Sequence, residues 1–450
     1  MQRIPTITPF WHSPLFCYNI DMKKFTLYLM LGLTLLASFN FVQPVKADTP
    51  KIPAKAAMAI DASSGKILFA QNATTPLGIA SITKNITAYL VLKAIDEKKL
   101  SWDEQVGISD YAFKMAQNAE TSNIAISQPN SKYSVRDLFN AMMIQSADSA
   151  AVALAEKVGG SEPKFVDMMK QQLKDWGIRD AKIVNASGLP NSLLDGHLYP
   201  GTKDDDENLM SAQDVALVAQ HLIKDYPDVL NTTKMTTAVF NKGGADEQNL
   251  HTYNYMLEGY QDYRTGVDGL KTGTTTLAGA CFVGTTYQNN FRIITVILNA
   301  DNADSNQYAR FDATNTLMNY VYGNWAVDDI ADEGQSLDDF DKLPVFDGKS
   351  KSVDLVASKD VSPVVPMANG TADNSKLSVT FDKSKDAELE APIKENSPQV
   401  TATFSIKDDL GYLPGFKGSQ FSLVAKQNVE KQNVFTVAWN HFVRFVNEKL

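Results

Sequence analysis

The chain has 450 residues, 44% of them hydrophobic and 21% charged, which is enough for a large core and for two or three domains. A net charge of −10 argues against a phosphate-backbone partner, so nucleic acid is excluded as a ligand class. There is no H-E-x-x-H string and no cluster of four Cys/His ligands, which excludes structural zinc and the common zinc-hydrolase pattern.

The N-terminus reads as an export signal. Met22-Lys23-Lys24 supplies a positive start, "FTLYLMLGLTLLA" (25–37) an apolar stretch, and "VKA" (45–47) a small-residue cleavage site before Asp48. Residues 1–47 are therefore expected to be removed on export, with Met22 as the true start. The apolar run is short for a bilayer span. Cys17 falls in this leader, so Cys281 is the one cysteine of the mature chain and an intrachain disulfide is not possible.

"AAMAIDASSGKILFAQNA" (56–73) alternates around "SSGK" and predicts a hairpin with a tight turn. Helical periodicity follows at 81–97, 134–158, 163–175 and 211–224. The stretch 270–300 is rich in Thr, Val, Ile and Phe, and is broken by "QNN" into two adjacent strands. Residues 310–323 return to a helical pattern. Strands at both sequence ends around a helical middle predict an α+β domain over 48–330 whose terminal segments share one antiparallel sheet. From 331 to 432 short alternating runs with turn residues between them predict a small all-β domain. Residues 433–450 place Phe435, Trp439, Phe442, Val443, Val446 and Leu450 on one helical stripe, with Asn440, Arg444, Asn447 and Glu448 largely opposite. That pattern suits a helix lying in a membrane interface, or one packed on the β domain.

Three S-x-x-K strings occur: Ser63/Lys66, Ser81/Lys84 and Ser161/Lys164. The first sits in the hairpin turn and the third brackets a proline, so both read as surface. Only Ser81 opens an apolar helix, where residues three apart share a face. A cation in a first helical turn opposes the helix dipole and needs another reason to be there. A lysine kept from water has a lowered pKa and can take the serine proton. Two further stretches stand out. Ser146-Ala147-Asp148 interrupts an apolar helical pattern, which alone suits an inter-helix turn with Asp148 as N-cap. Lys271-Thr272-Gly273 lies on a strand, where the glycine marks either a ligand's close approach or a bulge. The acidic run "KDDDEN" (203–208) lacks the glycine and terminal glutamate of a calcium loop and reads as a solvated loop.

The set "SITK", "SAD" and "KTG", in that order, resembles the penicillin-recognising serine enzymes, whose S-x-x-K, S-x-N and K-T-G elements line one cleft. More specifically the chain is similar to the low-molecular-mass penicillin-binding proteins that are D-alanyl-D-alanine carboxypeptidases, from about residue 50 to the C-terminus. "NASGLPN" (185–191), "SAQDVALVAQHL" (211–222) and "ARFDATNTLMNYVYG" (309–323) add to the likeness. The resemblance implies a β-lactamase/transpeptidase-like antiparallel sheet with flanking helices and a helical subdomain, followed by the all-β domain. It implies an exported enzyme at the outer face of the cytoplasmic membrane or in the cell wall, held there by the C-terminal helix. Its partners would be peptidoglycan stem peptides and β-lactam antibiotics, and no cofactor is implied.

Carried over residue by residue, Ser81 would be the acylated nucleophile and Lys84 its general base. Ser146 would relay a proton to the leaving amine, and Lys271 would help bind the substrate carboxylate and lower the pKa of Lys84. The oxyanion hole would be the N–H groups of Ser81 and Thr274. Thr272 would line the strand edge where substrate lies, and Arg310 would grip the terminal carboxylate. Asp148 departs from the pattern, since related enzymes have asparagine there. An ionised aspartate only accepts hydrogen bonds, so it cannot donate to a substrate carbonyl. Asp148 is expected to enter the cleft, pair with Lys84 and be partly protonated, the alternative being that it turns away to cap the following helix.

Rival readings are weaker. A class A β-lactamase would carry an E-x-x-L-N stretch, which is missing, and no β domain after the catalytic one. A wall-binding protein with a dead enzyme domain conflicts with intact Ser81, Lys84 and Lys271. A Ser-His-Asp hydrolase lacks its G-x-S-x-G, and the histidines at 197, 221, 251 and 441 have no evident partners.

Overall fold

A computed structural model describes residues 49–338 and 340–449. The predicted export signal, with Cys17 and Met22, and Leu450 of the C-terminal stripe lie outside the described residues.

Five antiparallel strands form the central sheet: β1 (Ala54–Asp61), β2 (Ile67–Gln71), β3 (Val267–Thr275), β4 (Gly279–Gln288) and β5 (Phe291–Ala300), in the order β2-β1-β5-β4-β3. The two sequence ends of the domain meet in this sheet, as their strand patterns predict; Ala57 pairs with Ile297 and Cys281 with Gly273. Residues 270–300 supply parts of three strands rather than two. The missed turn, Thr276 to Ala278, hides in a threonine-rich run that looks like continuous strand.

Both faces of the sheet are buried, because side chains alternate with a period of two. Ala56, Met58 and Ile60 face a helical layer, while Ala57 and Ala59 face the opposite core. The helical layer holds α1 (Lys84–Asp96), α2 (Val135–Ile144), α3 (Asp148–Gly159), α4 (Glu162–Asp175) and α5 (Ala212–Asp225). The helical pattern over 134–158 is two helices, parted at the Ser146-Ala147-Asp148 interruption, where Ser146 adopts φ +62°. On the other face α6 (Ala309–Asn324) packs Phe311, Leu317, Met318 and Val321 against the sheet.

A second, all-β region has its own core. Its six-stranded sheet is built around Pro398–Ile406 paired with Ser419–Ala425, flanked by Leu377–Phe381 and Ser352–Ala357. Trp325–Val327, just past α6, pairs with Val364–Ala368 and stitches the two regions together.

Lys66 overturns its surface reading. It is 1% exposed, and its ammonium donates to Asp408 Oδ1 (2.8 Å), Gly411 O (2.9 Å) and Ile67 O (2.9 Å), with the rings of Trp325 and Tyr412 alongside. Its partner lies 342 residues away, in the all-β region, where a local sequence window cannot reach. Ser63 is exposed and bonded to Asp61, and Lys164 is exposed, so those two residues are at the surface as read.

The chain ends in α7 (Val434–Lys449), which rests on the all-β region through its polar side. Asn440 and His441 both contact the Asp347 carboxylate, at 2.9 Å each, and Arg444 reaches Glu388. Its apolar side is bare: Phe435 is 87% exposed, Trp439 63% and Phe442 57%. Among the described residues no helix is long and apolar enough to cross a membrane.

Candidate active site

Ser81 is not a helix cap. It sits inside a single 3-10 turn, Ala80–Thr83, and α1 proper begins at Lys84. The turn is held under constraint, with Ala80 at φ +46°. Two glycines let neighbouring backbone press against it. A Cβ on Gly273 would stand 2.7 Å from Ile79 O and 3.1 Å from Ser81 N, so this strand glycine admits the serine's own turn rather than a ligand. Gly188, at φ +88°, lies against the Ala80 carbonyl where a side chain would overlap it.

Lys84 is fully buried, and its ammonium donates three hydrogen bonds: to Ser81 Oγ (2.8 Å), Asp148 Oδ1 (2.6 Å) and Ser187 O (2.8 Å). The Ser187 carbonyl comes from "NASGLPN", which has no assigned role in the sequence pattern. That loop is braced by Thr87 Oγ1 on Ala186 O, by Asn208 Nδ2 on Asn185 O, and by the Ala186 N–H on Glu162 Oε1. Burial pushes Lys84 down from the ordinary lysine range, while the charge and hydrogen bond of Asp148 push it back up. Burial raises Asp148 above the usual carboxylate range, and Lys84 opposes that.

Asp148 does pair with Lys84, but it stands behind the wall of the cleft and is 1% exposed. It makes no side-chain cap on its own helix. Its second oxygen, Oδ2, accepts the Ser122 N–H (2.9 Å), and its own N–H donates to Ser122 O (2.7 Å).

Opposite Ser81 runs the edge of β3. Thr272, Gly273 and Thr274 line a cleft of about 320 Å³ together with Ser81, Ser122 and Ser146. Arg310, from the first turn of α6, lines it too; it donates to Gly273 O (3.0 Å), Cys281 O (3.1 Å) and Thr274 Oγ1 (2.7 Å). Tyr253, Tyr255, Gln307 and Phe311 also line the cleft. None of these four was singled out in the sequence, since each lies in a loop or on a helix whose pattern is explained by packing, and Phe311 enters only as part of the stretch 309–323. Lys271 is 2% exposed and lies beneath the strand, its ammonium donating to Thr272 O (3.1 Å). Burial, and then the like charges of Lys84 and Arg310, hold Lys271 well below the ordinary lysine range. The like-charge repulsion expected between the two lysines is therefore present.

The remaining candidates are elsewhere. The acidic run is solvated only in its first half; Glu207 is buried and accepts from Thr275 Oγ1 (2.6 Å) just past the cleft edge of β3. His441 does have a partner, Asp347, and His221 and His197 stack on Trp176 and Tyr111; none of the three lines the cleft. Among the described residues no group of His, Cys, Asp or Glu is arranged to hold a metal ion.

Comparison with known proteins gives a consistent picture. Residues 43–302 match the family model of D-alanyl-D-alanine carboxypeptidases, peptidase S11, and residues 329–431 match that of the penicillin-binding protein 5 C-terminal domain. D-alanyl-D-alanine carboxypeptidase DacC of Escherichia coli is 28% identical over 410 residues, covering 91% of this chain and 92% of that one. The crystal structure of a peptidoglycan synthesis regulatory factor (PBP3) from Streptococcus pneumoniae is similar at a TM-score of 0.79 and 42% identity, over 85% of this chain and 100% of that one. Penicillin-binding protein D2 from Listeria monocytogenes, in an ampicillin-bound form, is similar at a TM-score of 0.50 and 32% identity, over 61% of this chain and 98% of that one.

Proposed function

Since the chain belongs to the peptidase S11 family of D-alanyl-D-alanine carboxypeptidases, we propose that Ser81 is its nucleophile and that the cleft removes the terminal D-alanine from peptidoglycan stem peptides. The observation that carries this reading is the fully buried Lys84 ammonium, 2.8 Å from the Oγ of Ser81, a residue that lines the cleft with Thr272–Thr274. Lys84, once neutral, takes the Ser81 proton as Oγ attacks the carbonyl of the penultimate residue. The oxyanion that forms is received by the N–H groups of Ser81 and Thr274. Ser146 passes a proton to the departing amine, D-alanine leaves, and water hydrolyses the ester on Ser81. Arg310 and Thr274 Oγ1 hold the terminal carboxylate, Thr272 aligns the peptide, and Lys271 supplies positive potential from below. A β-lactam acylates the same serine and leaves slowly.

The enzyme acts outside the cytoplasm after residues 1–47 are removed. Residues 48–330 form its catalytic domain, 331–432 the all-β domain, and 433–450 hold it at the membrane surface. The exposed Phe435, Trp439 and Phe442 on a helix whose polar side is already docked support this last role. Deleting 433–450 should release active enzyme from membranes, and a truncated enzyme that still sediments with them would refute the anchor. The chemistry is tested by mass spectrometry after benzylpenicillin treatment: peptide mapping should place one adduct on Ser81, and an adduct elsewhere would sink the assignment.

A further inference from the structure

Asp148 is out of a substrate's reach and, when ionised, has no proton to donate to it. One oxygen serves Lys84, the other serves the Ser122 N–H, and the group stands behind the cleft wall. An amide at this position would present only one acceptor atom to two N–H donors. The carboxylate thus acts as a two-sided clamp that joins the general base to the segment carrying Ser122. Asn123, the next residue, extends the join by accepting the Ser149 N–H through Oδ1 (3.0 Å).

The clamp brings Ser122 to the cleft. Ser122 is half-buried, lines the cavity beside Ser81 and Ser146, and its hydroxyl takes no protein partner among the described residues. An extended peptide lying along β3 points alternate carbonyls toward that strand and away from it. The carbonyls pointing away face a wall whose serine hydroxyls are those of Ser122 and Ser146. Ser146 is occupied with the leaving amine in the mechanism above.

We propose that the Ser122 hydroxyl donates the hydrogen bond to the substrate's outward-facing amide carbonyl, and that Asp148 acts as a positioning residue that fixes Ser122 for this task. The inference rests on the reading of Ser81 as nucleophile. Its test compares benzylpenicillin, which carries an acylamido carbonyl on its ring, with 6-aminopenicillanic acid, which has a free amine there. Loss of one neutral hydrogen bond is expected to cost about tenfold in acylation rate. Ser122→Ala should therefore slow acylation by benzylpenicillin about tenfold and leave 6-aminopenicillanic acid within about twofold of wild type. Ser122→Thr, which keeps a hydroxyl, should restore most of the benzylpenicillin rate. Equal slowing of both compounds would overturn the proposal, because Ser122 would then support only the Lys84 machinery. No slowing of either would overturn it too. A wild-type enzyme that neither compound acylates at Ser81 would instead bring down the parent reading, and this inference with it.

Discussion

Two buried lysines in this molecule share a sequence pattern and much of an environment, yet differ in one contact. Lys66 and Lys84 both follow a serine by three residues, are at most 1% exposed, and pair with an aspartate at 2.8 and 2.6 Å. Each ammonium also donates to main-chain carbonyl. They differ in the remaining donor. Lys66 gives it to a second carbonyl, while its serine points to solvent and bonds Asp61. Lys84 gives it to its own serine, which opens on a cleft. Burial and an acidic partner are common to both; contact with an accessible hydroxyl is what fits Lys84 alone to the proposed role of base.

The largest effect should come from breaking the reactive pair. Ser81→Ala should abolish covalent labelling by penicillin with the fold intact by circular dichroism, while Ser63→Ala and Ser161→Ala label as wild type. Labelling that survives Ser81→Ala would show the two serine–lysine pairs to have been told apart wrongly.

Lys66 predicts the converse. Lys66→Met leaves Asp408, two carbonyls and the seam between the two regions without their donor. Breaking a buried pair from one side costs about 3–5 kcal/mol. Asp408 is 17% exposed, which favours the lower end of that range. Urea denaturation should show this loss, and the surviving folded enzyme should still label with penicillin. A variant as stable as wild type would mean that the seam does not depend on Lys66.

These two lysines also mark where sequence alone runs out. The Ser81–Lys84 contact was legible because both residues and the apolar helix lie within one 18-residue window; the hairpin at 56–73 was legible from alternation, and strand at 270–300 from composition, though not its first turn. Lys66 was not, because its burial is supplied by Asp408 and Gly411 in another region. Gly273 could be flagged as a close approach, but not as the approach of Ser81's own turn. Ser122 had no signal at all: it sits in a loop, and only the Asp148 clamp brings it to the cleft.

A smaller effect concerns the floor of the site. Glu162 is buried beneath the "NASGLPN" loop, accepting the Ala186 N–H, and burial raises its pKa to about 7. A carboxyl whose folded pKa lies above its unfolded value binds more protons in the native state. Its contribution to stability is therefore present at low pH and is lost as pH rises from about 4.5 through about 7. The loss amounts to roughly 3 kcal/mol. Glu162→Gln keeps the acceptor for Ala186 without the charge. Its Tm should fall less than that of wild type between pH 5 and pH 8; equal falls would show that Glu162 does not titrate in that range.

The subtlest change exchanges Asp148 for the amide found in related enzymes. In the native site the carboxylate's charge and hydrogen bond raise the pKa of Lys84 against the lowering due to burial. Asp148→Asn removes that opposition, so the pKa of Lys84 should fall further. A base works above its own pKa, so the rising limb of the acylation rate should move to lower pH. Benzylpenicillin acylation near neutral pH should rise several-fold, with little change in the alkaline plateau. The same substitution turns an amide NH₂ toward either Lys84 or the Ser122 N–H, both donors, and should cost about 1–3 kcal/mol of stability for the group left unpaired. Both changes should be seen in one variant, by stopped-flow acylation across pH and by thermal denaturation. A lower Tm with an unmoved pH profile would mean that Asp148 holds the Ser122 segment without governing the proton on Lys84, and the parallel between the two buried lysines would then extend to their aspartates.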